Sequence, residues 1–163
     1  MATTSTTHGK YKGVLVSKTD LRKLKDKLNA KRKDIYDFII FRFEQIGEEA
    51  VKIARENGSY HDVTGNLRSS IGYIILNDGK VVIQGAPERY PKKEDGSKGE
   101  AEGQALLQKL KAKFPWGLVL IICAGMEYAA FVENVRHKDV LTSAEHLAES
   151  LMKKLLGKVI EEV

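Results

Sequence analysis

The side chains that most often bind metal or perform catalysis are scattered in this sequence. No two histidines have the i, i+4 spacing that places a ligand pair on one helix face; the four are His8, His61, His137 and His146. The single cysteine, Cys123, lies within the apolar run Leu118–Ala124, with no histidine close to it in the sequence. Such surroundings predict a buried structural thiol. We therefore expect no metal site, and one cysteine excludes an internal disulfide.

Two further groups could belong to a catalytic centre. His61 and Asp62 are a base and a carboxylate, but chain neighbours rarely face each other, and a solvated loop accounts for both. Ser69 and Ser70 have no nearby base that would activate a hydroxyl. The sequence therefore predicts no catalytic residue and no cofactor, and it favours a protein that is not an enzyme.

Length and composition predict one compact domain. Hydrophobic residues make up 42% and charged residues 30% of the 163 residues, a balance that supports one hydrophobic core. The polar N-terminus has no apolar segment typical of a signal peptide, so we expect a disordered tail over 1–13, a single domain over 14–163 and a cytoplasmic location. The apolar run 118–124 is far shorter than the roughly 20 residues that span a bilayer, so no membrane association is predicted.

Hydrophobic periodicity predicts the elements of an α+β fold. Helical spacing indicates a long amphipathic N-terminal helix, either continuous or divided near Asn29-Ala30, and alternating or β-branched runs indicate strands. The expected elements are helices at about 19–30 and 32–56, a helical turn at 65–70, strands at 71–76 and 81–86 joined by Asn77–Lys80, a mobile loop at about 87–100, a helix at 102–114, a strand at 116–124, a helix at 127–135, and a C-terminal helix from about 142. The last strand is the most apolar, so it is predicted to be central. We expect the helices to pack on one side of a small antiparallel sheet, formed by the hairpin and the third strand.

Two short segments have a recognisable pattern. The first, Thr64–Ile71, reads TG-x-L-R-x-S-I, and the second, Gly125–Glu133, reads G-x-x-YA-x-x-VE. In the first, Thr64 is expected to cap a helical turn and Gly65 to supply permissive dihedrals. Leu67 and Ile71 then fix the turn to the core, while Arg68 is available for a carboxylate. The first segment could alternatively be a plain helix start with a solvated arginine. The second could alternatively contribute only to the hydrophobic core.

The last helix has a clear start signal. Thr142-Ser143-Ala144-Glu145 has the spacing of a capping box, in which the threonine and glutamate side chains satisfy backbone N–H groups at the helix start.

The positive charge of the chain is concentrated near its N-terminus. The net charge is +5, and the region 18–33 holds many cations but only Asp20 and Asp26 as acids; the cations are Lys18, Arg22, Lys23, Lys25, Lys27, Lys31, Arg32 and Lys33. Such a helix could face nucleic-acid phosphate or an acidic partner, or it could be a solvated face. The candidates for a DNA or acidic-partner contact are Arg22, Lys23, Lys25, Lys27, Lys31 and Arg32. No aromatic residues interleave with them, so base stacking is not predicted.

The order of the two motifs and their flanking elements resembles a family of phage proteins. Over roughly residues 35–150, the sequence is similar to the small tail-component family of long-tailed bacteriophages, the head–tail joining or tail-completion (neck) proteins. After Glu133 the chain continues Asn134-Val135-Arg136, where the family commonly has Gly-Thr, and the insertion 87–115 is longer than the usual loop.

The resemblance implies an assembly function in the phage virion. Proteins of this family bind neighbours at the junction of capsid portal and tail, without catalysis, in rings through which DNA passes. For this chain it implies portal/connector or tail proteins as partners, a homo-oligomeric ring and proximity to DNA. The implied interface residues are Thr64, Gly65, Leu67, Arg68, Ser70, Ile71, Tyr128, Val132 and Glu133. A nucleic-acid-binding module that uses the helix at 18–33 remains the alternative.

Overall fold

The computed structural model describes residues 4–6, 15–17 and 20–162, with side chains over 20–157. The chain divides into two units, Met1–Ile39 and Ile40–Val163. The single domain over 14–163 stays a prediction. The long helix α1, Leu21–Glu56, contributes to both units. The fold class is α+β, as predicted from the sequence.

The first unit contains a small two-stranded sheet. Strand β1, Thr4–Thr6, pairs antiparallel with β2, Leu15–Ser17, so that Ser5 faces Val16. A disordered tail was predicted over 1–13, and Thr4–Thr6 within that range form β1. The rest of that predicted tail, and Lys18, lie outside the described residues.

Helix α1 runs without a break through the residues where a division was expected. Asn29 and Ala30 are both helical, because neither residue breaks a helix as proline does. The helix starts directly after Asp20, whose carboxylate accepts hydrogen bonds from the N–H groups of Arg22 at 3.1 Å and Lys23 at 3.4 Å. Asp20 therefore acts as the N-terminal cap.

The second unit is built on a three-stranded antiparallel sheet. Its remaining elements are α2 (Asn66–Ser69), β3 (Ile71–Asn77), β4 (Lys80–Gly85), α3 (Ser97–Lys111), β5 (Leu118–Ala124), α4 (Ala129–Asn134) and α5 (Thr142–Glu162). The predicted hairpin joins β3 to β4, and its turn residues Asp78 and Gly79 have φ of 49° and 73°. Positive φ at both positions is the requirement that made Asp-Gly a turn signal.

The central strand is β3 and not β5, so the prediction that the most apolar strand would be central was wrong. The strand order is β4-β3-β5. All residues of β3 from Ile71 to Leu76 are buried, whereas β5 buries only Ile121 and Cys123. At the edge of the sheet, β5 buries Ile121 and Cys123 against α3 on one face, and Leu120 and Ile122 line a groove with α5 on the other.

Helices cover both faces of the sheet, which corrects the expectation of a single helical side. On one face, α3 places Leu107 among Ile74, Leu76, Ile121 and Cys123. On the opposite face, Gly47 of α1 meets the Tyr73 ring, and α5 forms a groove with Leu120 and Ile122. The register explains this division, because Ile74 pairs with Ile121 and Tyr73 pairs with Ile122 on alternate faces.

The lone cysteine belongs to this core. Cys123 is 5% exposed, and burial raises the pKa of its thiol to about 12. The prediction of a buried thiol is therefore confirmed.

The loop predicted over 87–100 is shorter in the structure, because α3 begins at Ser97 rather than at 102. Gly96 precedes the helix with a φ of 77°, which glycine adopts without strain. The mobility of the loop stays a prediction. No helix in the described part of the chain is long and apolar enough to span a bilayer.

Candidate functional site

The two sequence motifs meet directly in the structure. The carbonyl oxygen of Ser70 accepts a hydrogen bond from the Gly125 N–H at 3.1 Å, and its Oγ accepts one from the Met126 N–H at 3.3 Å. The Ser70 hydroxyl itself donates to the Leu67 carbonyl at 2.8 Å. Residues 62–71 and 125–133 therefore form one hydrogen-bonded structure, which we call the motif junction.

A buried carboxylate, which sequence reasoning missed, shapes the first motif. Asp62 is 5% exposed, and its two oxygens accept hydrogen bonds from the N–H groups of Gly65 at 2.9 Å and Arg68 at 3.0 Å. Asp62 is therefore not a solvated loop residue, although its neighbour His61 is exposed. The three-residue spacing from Asp62 to Gly65 is the available signal, since aspartate commonly binds backbone N–H groups of a following turn.

The capping role predicted for Thr64 is corrected in part. The residue at the N-cap of α2 is Gly65, whose φ of 89° is left-handed and which makes no side-chain cap. Thr64 accepts a hydrogen bond from the Asn66 N–H at 3.3 Å, and the stronger anchoring of the turn comes from Asp62. Burial raises the pKa of the Tyr128 phenol, against the opposing effect of the Thr64 side chain.

The segment between β4 and α3 braces the motif junction from outside. The Ser69 hydroxyl accepts a hydrogen bond from the Tyr90 N–H and donates one to the Gly65 carbonyl, both at 2.7 Å. The Asn66 amide donates to the Glu94 carboxylate at 2.6 Å. Tyr90 and Glu94 lie more than twenty residues from Ser69 and Asn66 in the sequence, so no local pattern could have indicated these two contacts.

Arg68 meets an aromatic ring of the same chain. Its guanidinium carbon lies 5.6 Å from the centroid of the Tyr60 ring, and its Nε is buried without a hydrogen-bond partner in the described part of the chain. Burial raises the pKa of the Tyr60 phenol to about 12, against the opposing effect of the Arg68 charge. A cation over an aromatic face is stabilising, so Arg68 has a partner of a different kind from the predicted carboxylate.

The end of the second motif holds the start of α5. One oxygen of Glu133 accepts hydrogen bonds from the Leu141 N–H at 3.1 Å, the Thr142 N–H at 2.9 Å and the Thr142 hydroxyl at 2.6 Å. Asp139 accepts the Ser143 N–H at 3.0 Å. The predicted capping box of Thr142 and Glu145 was wrong. The Thr142 N–H group bonds the carboxylate of Glu133, which lies before the helix, in place of the Glu145 side chain.

A cleft of about 580 Å³ opens at the motif junction. Its lining includes four of the predicted interface residues, namely Thr64, Leu67, Tyr128 and Val132. Lys98, Arg136 and Lys138 supply positive charge around it, whereas the carboxylates of Asp62 and Glu94 are engaged in the hydrogen bonds described above. The cleft therefore combines an apolar lining with cations.

An exposed apolar face adjoins this cleft. Tyr128, Phe131 and Val135 are 40%, 49% and 58% exposed, and their i, i+3, i+7 spacing places them on one side of α4. Val63, which also lines the cleft, is 45% exposed. We call these four residues the motif face. Exposed apolar residues grouped in this way are typical of a binding surface.

The predicted interface residues divide into a buried group and a group that is at least partly exposed. Gly65, Leu67, Ser70 and Ile71 are buried, so they position the motif junction. Thr64, Arg68, Val132 and Glu133 are half-buried, and Tyr128 is exposed. The predicted basic residues all lie exposed on α1 in the first unit, remote in sequence from the junction; they are Arg22, Lys23, Lys25, Lys27, Lys31 and Arg32.

Within the described part of the chain, no group of three His, Cys, Asp or Glu side chains is placed to hold a metal ion. In the comparisons with known proteins, no protein-family model, no curated protein and no solved structure matches this chain.

Proposed function

We propose that this chain is a non-enzymatic virion assembly protein at the head–tail junction of a long-tailed bacteriophage. It is made in the host cytoplasm and enters the virion through contacts with portal/connector or tail proteins, as a ring of copies around the DNA path. The single observation that carries the proposal is the direct bonding of Ser70 to Gly125 and Met126. The two segments on which the phage resemblance rests are thus parts of one structure.

The motif face supports a contact function for this structure. Tyr128 and Phe131 are large, exposed and fixed on a hydrogen-bonded framework, and rigid aromatic residues commonly dominate the energy of protein interfaces. Arg136, whose guanidinium lies 5.8 Å from the Phe131 ring centroid, adds a cation beside the apolar surface. A partner with apolar and acidic residues would complement this face.

The double substitution Tyr128→Ser and Phe131→Ser is expected to reduce head–tail joining by about 100-fold, because interface aromatics often contribute about 2 kcal/mol or more each. A phage that encodes this chain, with the gene deleted, should accumulate filled heads and separate tails. Adding the purified chain to that extract should restore plaque-forming particles, and adding the double variant should restore far fewer.

The matched control replaces two exposed aromatic residues outside the motif face, Phe114 and Trp116, by serine. Its joining activity should equal that of the unaltered chain. Equal activity of the Tyr128/Phe131 variant, or heads and tails that join normally without the gene, would contradict the proposal.

Nucleic-acid binding through the helix at 18–33 is the second candidate function. The observation in its favour is the exposure of all its described cations on a continuous helix. Binding of this kind would weaken steeply as salt rises, because it releases counterions from the phosphate backbone.

A further inference from the structure

The first half of α1 carries an apolar stripe on its exposed surface. Leu21, Leu24 and Leu28 are 74%, 45% and 62% exposed. Their i, i+3, i+7 spacing keeps them within roughly 60° of one another around a helix that turns about 100° per residue. Leucines at such positions normally pack against a neighbouring element, as in a coiled-coil seam. We call these three residues the leucine stripe.

The charges of this helix are distributed unevenly around the leucine stripe. Lys25, Lys31 and Arg32 lie within roughly 60° of Leu28 on the two flanks, with Lys27 somewhat further round. No acidic residue in the first half of α1 lies that close; Asp20, which precedes the helix, has its carboxylate bonded to backbone N–H groups. The flanks are therefore cationic.

The opposite side of the helix is close to neutral. It lies roughly 120° or more from Leu28, and its cations are matched by acids in equal number; the cations are Arg22, Lys23 and Lys33 and the acids Asp26, Asp34 and Asp37. The uncompensated charge of this helix thus stands beside the leucines.

We propose that the leucine stripe and its cationic flanks dock an acidic amphipathic helix of a partner protein. Such a helix would bury the leucines against its own apolar stripe and place its carboxylates opposite Lys25, Lys31 and Arg32. A second copy of this chain fits poorly, because flanking lysines would face lysines. Duplex DNA would gain nothing from the leucines and could use the cations of either side. The proposal does not rest on the motif junction, so it can fail independently of the function proposed above.

A designed peptide tests the docking surface. The probe is a labelled peptide of about three heptads with leucine at a and d and glutamate at e and g, whose mutual repulsion at pH 7 prevents self-pairing. Fluorescence anisotropy with the full chain should detect binding. The variant Leu24→Gln/Leu28→Gln, which retains helix-favouring residues, should lose about 100-fold in affinity because each leucine contributes about tenfold.

Two charge variants test whether binding depends on the cations beside the leucine stripe or on those of the opposite side. Changing Lys25, Lys31 and Arg32 to glutamate should greatly weaken binding of the probe, and the weakening should shrink at high salt. Changing Arg22, Lys23 and Lys33 to glutamate alters the charge equally on the opposite side and should have a much smaller effect. Circular dichroism of each variant should match the unaltered chain, since all the substituted residues are exposed.

Five outcomes would overturn the proposal, the first four from the peptide and sedimentation experiments. Those four are no binding of the probe by the full chain, equal binding by the leucine variant, equal losses in the two charge variants, and sedimentation showing that the chain pairs with itself through Leu24 and Leu28. Binding of a duplex of about 20 base pairs that ignores the leucines and exceeds binding of the peptide would assign the helix to nucleic acid instead.

Discussion

Replacing Gly125 by valine is expected to lower the free energy of unfolding by about 3 kcal/mol, the upper end of the usual cost of overpacking. A Cβ at position 125 would lie 2.4 Å from the backbone N and Cα of Gly103 and 2.5 Å from the carbonyl carbon of Glu102. Backbone atoms of α3 cannot move aside as a flexible side chain can, so the motif junction and α3 would have to separate. Urea unfolding followed by circular dichroism would measure the loss.

Gly157 provides the control for the Gly125 variant. A Cβ there would have no neighbour within 4 Å, and the residue lies inside α5. Gly157→Ala is therefore expected to stabilise the fold by up to about 1 kcal/mol, since alanine favours a helix more than glycine does. If Gly125→Val unfolds at the same urea concentration as the unaltered chain, the close approach of Gly125 to α3 is contradicted.

The substitution Asp62→Ala is expected to cost about 3 kcal/mol of stability. It would remove both acceptors of the Gly65 and Arg68 N–H groups, and each buried donor left without a partner costs about 1–3 kcal/mol. Asp62→Asn should cost less, because the amide oxygen can still accept one of the two bonds. Thermal or urea unfolding of the unaltered chain and the two variants would rank their stabilities.

Asp95 is the matched control for Asp62. Its carboxylate also accepts two hydrogen bonds, from the Ser97 N–H at 3.0 Å and the Ser97 hydroxyl at 2.7 Å, but it is exposed. Water can replace the lost acceptor there, so Asp95→Ala should change stability far less. Similar losses for the two alanine variants would show that burial of Asp62 does not matter to the turn.

The sequence predicted elements well because their signals are local. Apolar residues at helical spacing indicated α1 and α5, and the Asp78-Gly79 turn was recognisable because few other pairs tolerate positive φ at both positions. The order of strands was not accessible in the same way. The high apolarity of β5 does not reveal which strand lies between the other two.

The candidate site was predictable only in part for a related reason. The residues of both motifs could be selected by pattern, and the structure brings Ser70 against Gly125 and Met126. The residues that brace them come from distant segments, such as Tyr90 on Ser69 and Glu94 on Asn66. The cap of α5 was misassigned because Glu133, outside the capping box, supplies the acceptor.

Photocrosslinking in assembled particles tests the central claim most directly. Phe131 would be replaced by p-benzoylphenylalanine, an aromatic-for-aromatic change on the motif face, and Trp116, 81% exposed and outside that face, would be replaced in a control. After irradiation of purified virions, mass spectrometry should find position 131 linked to a portal, connector or tail protein and position 116 linked to none. Absence of the chain from virions, or links to those proteins from position 116 alone, would contradict the account.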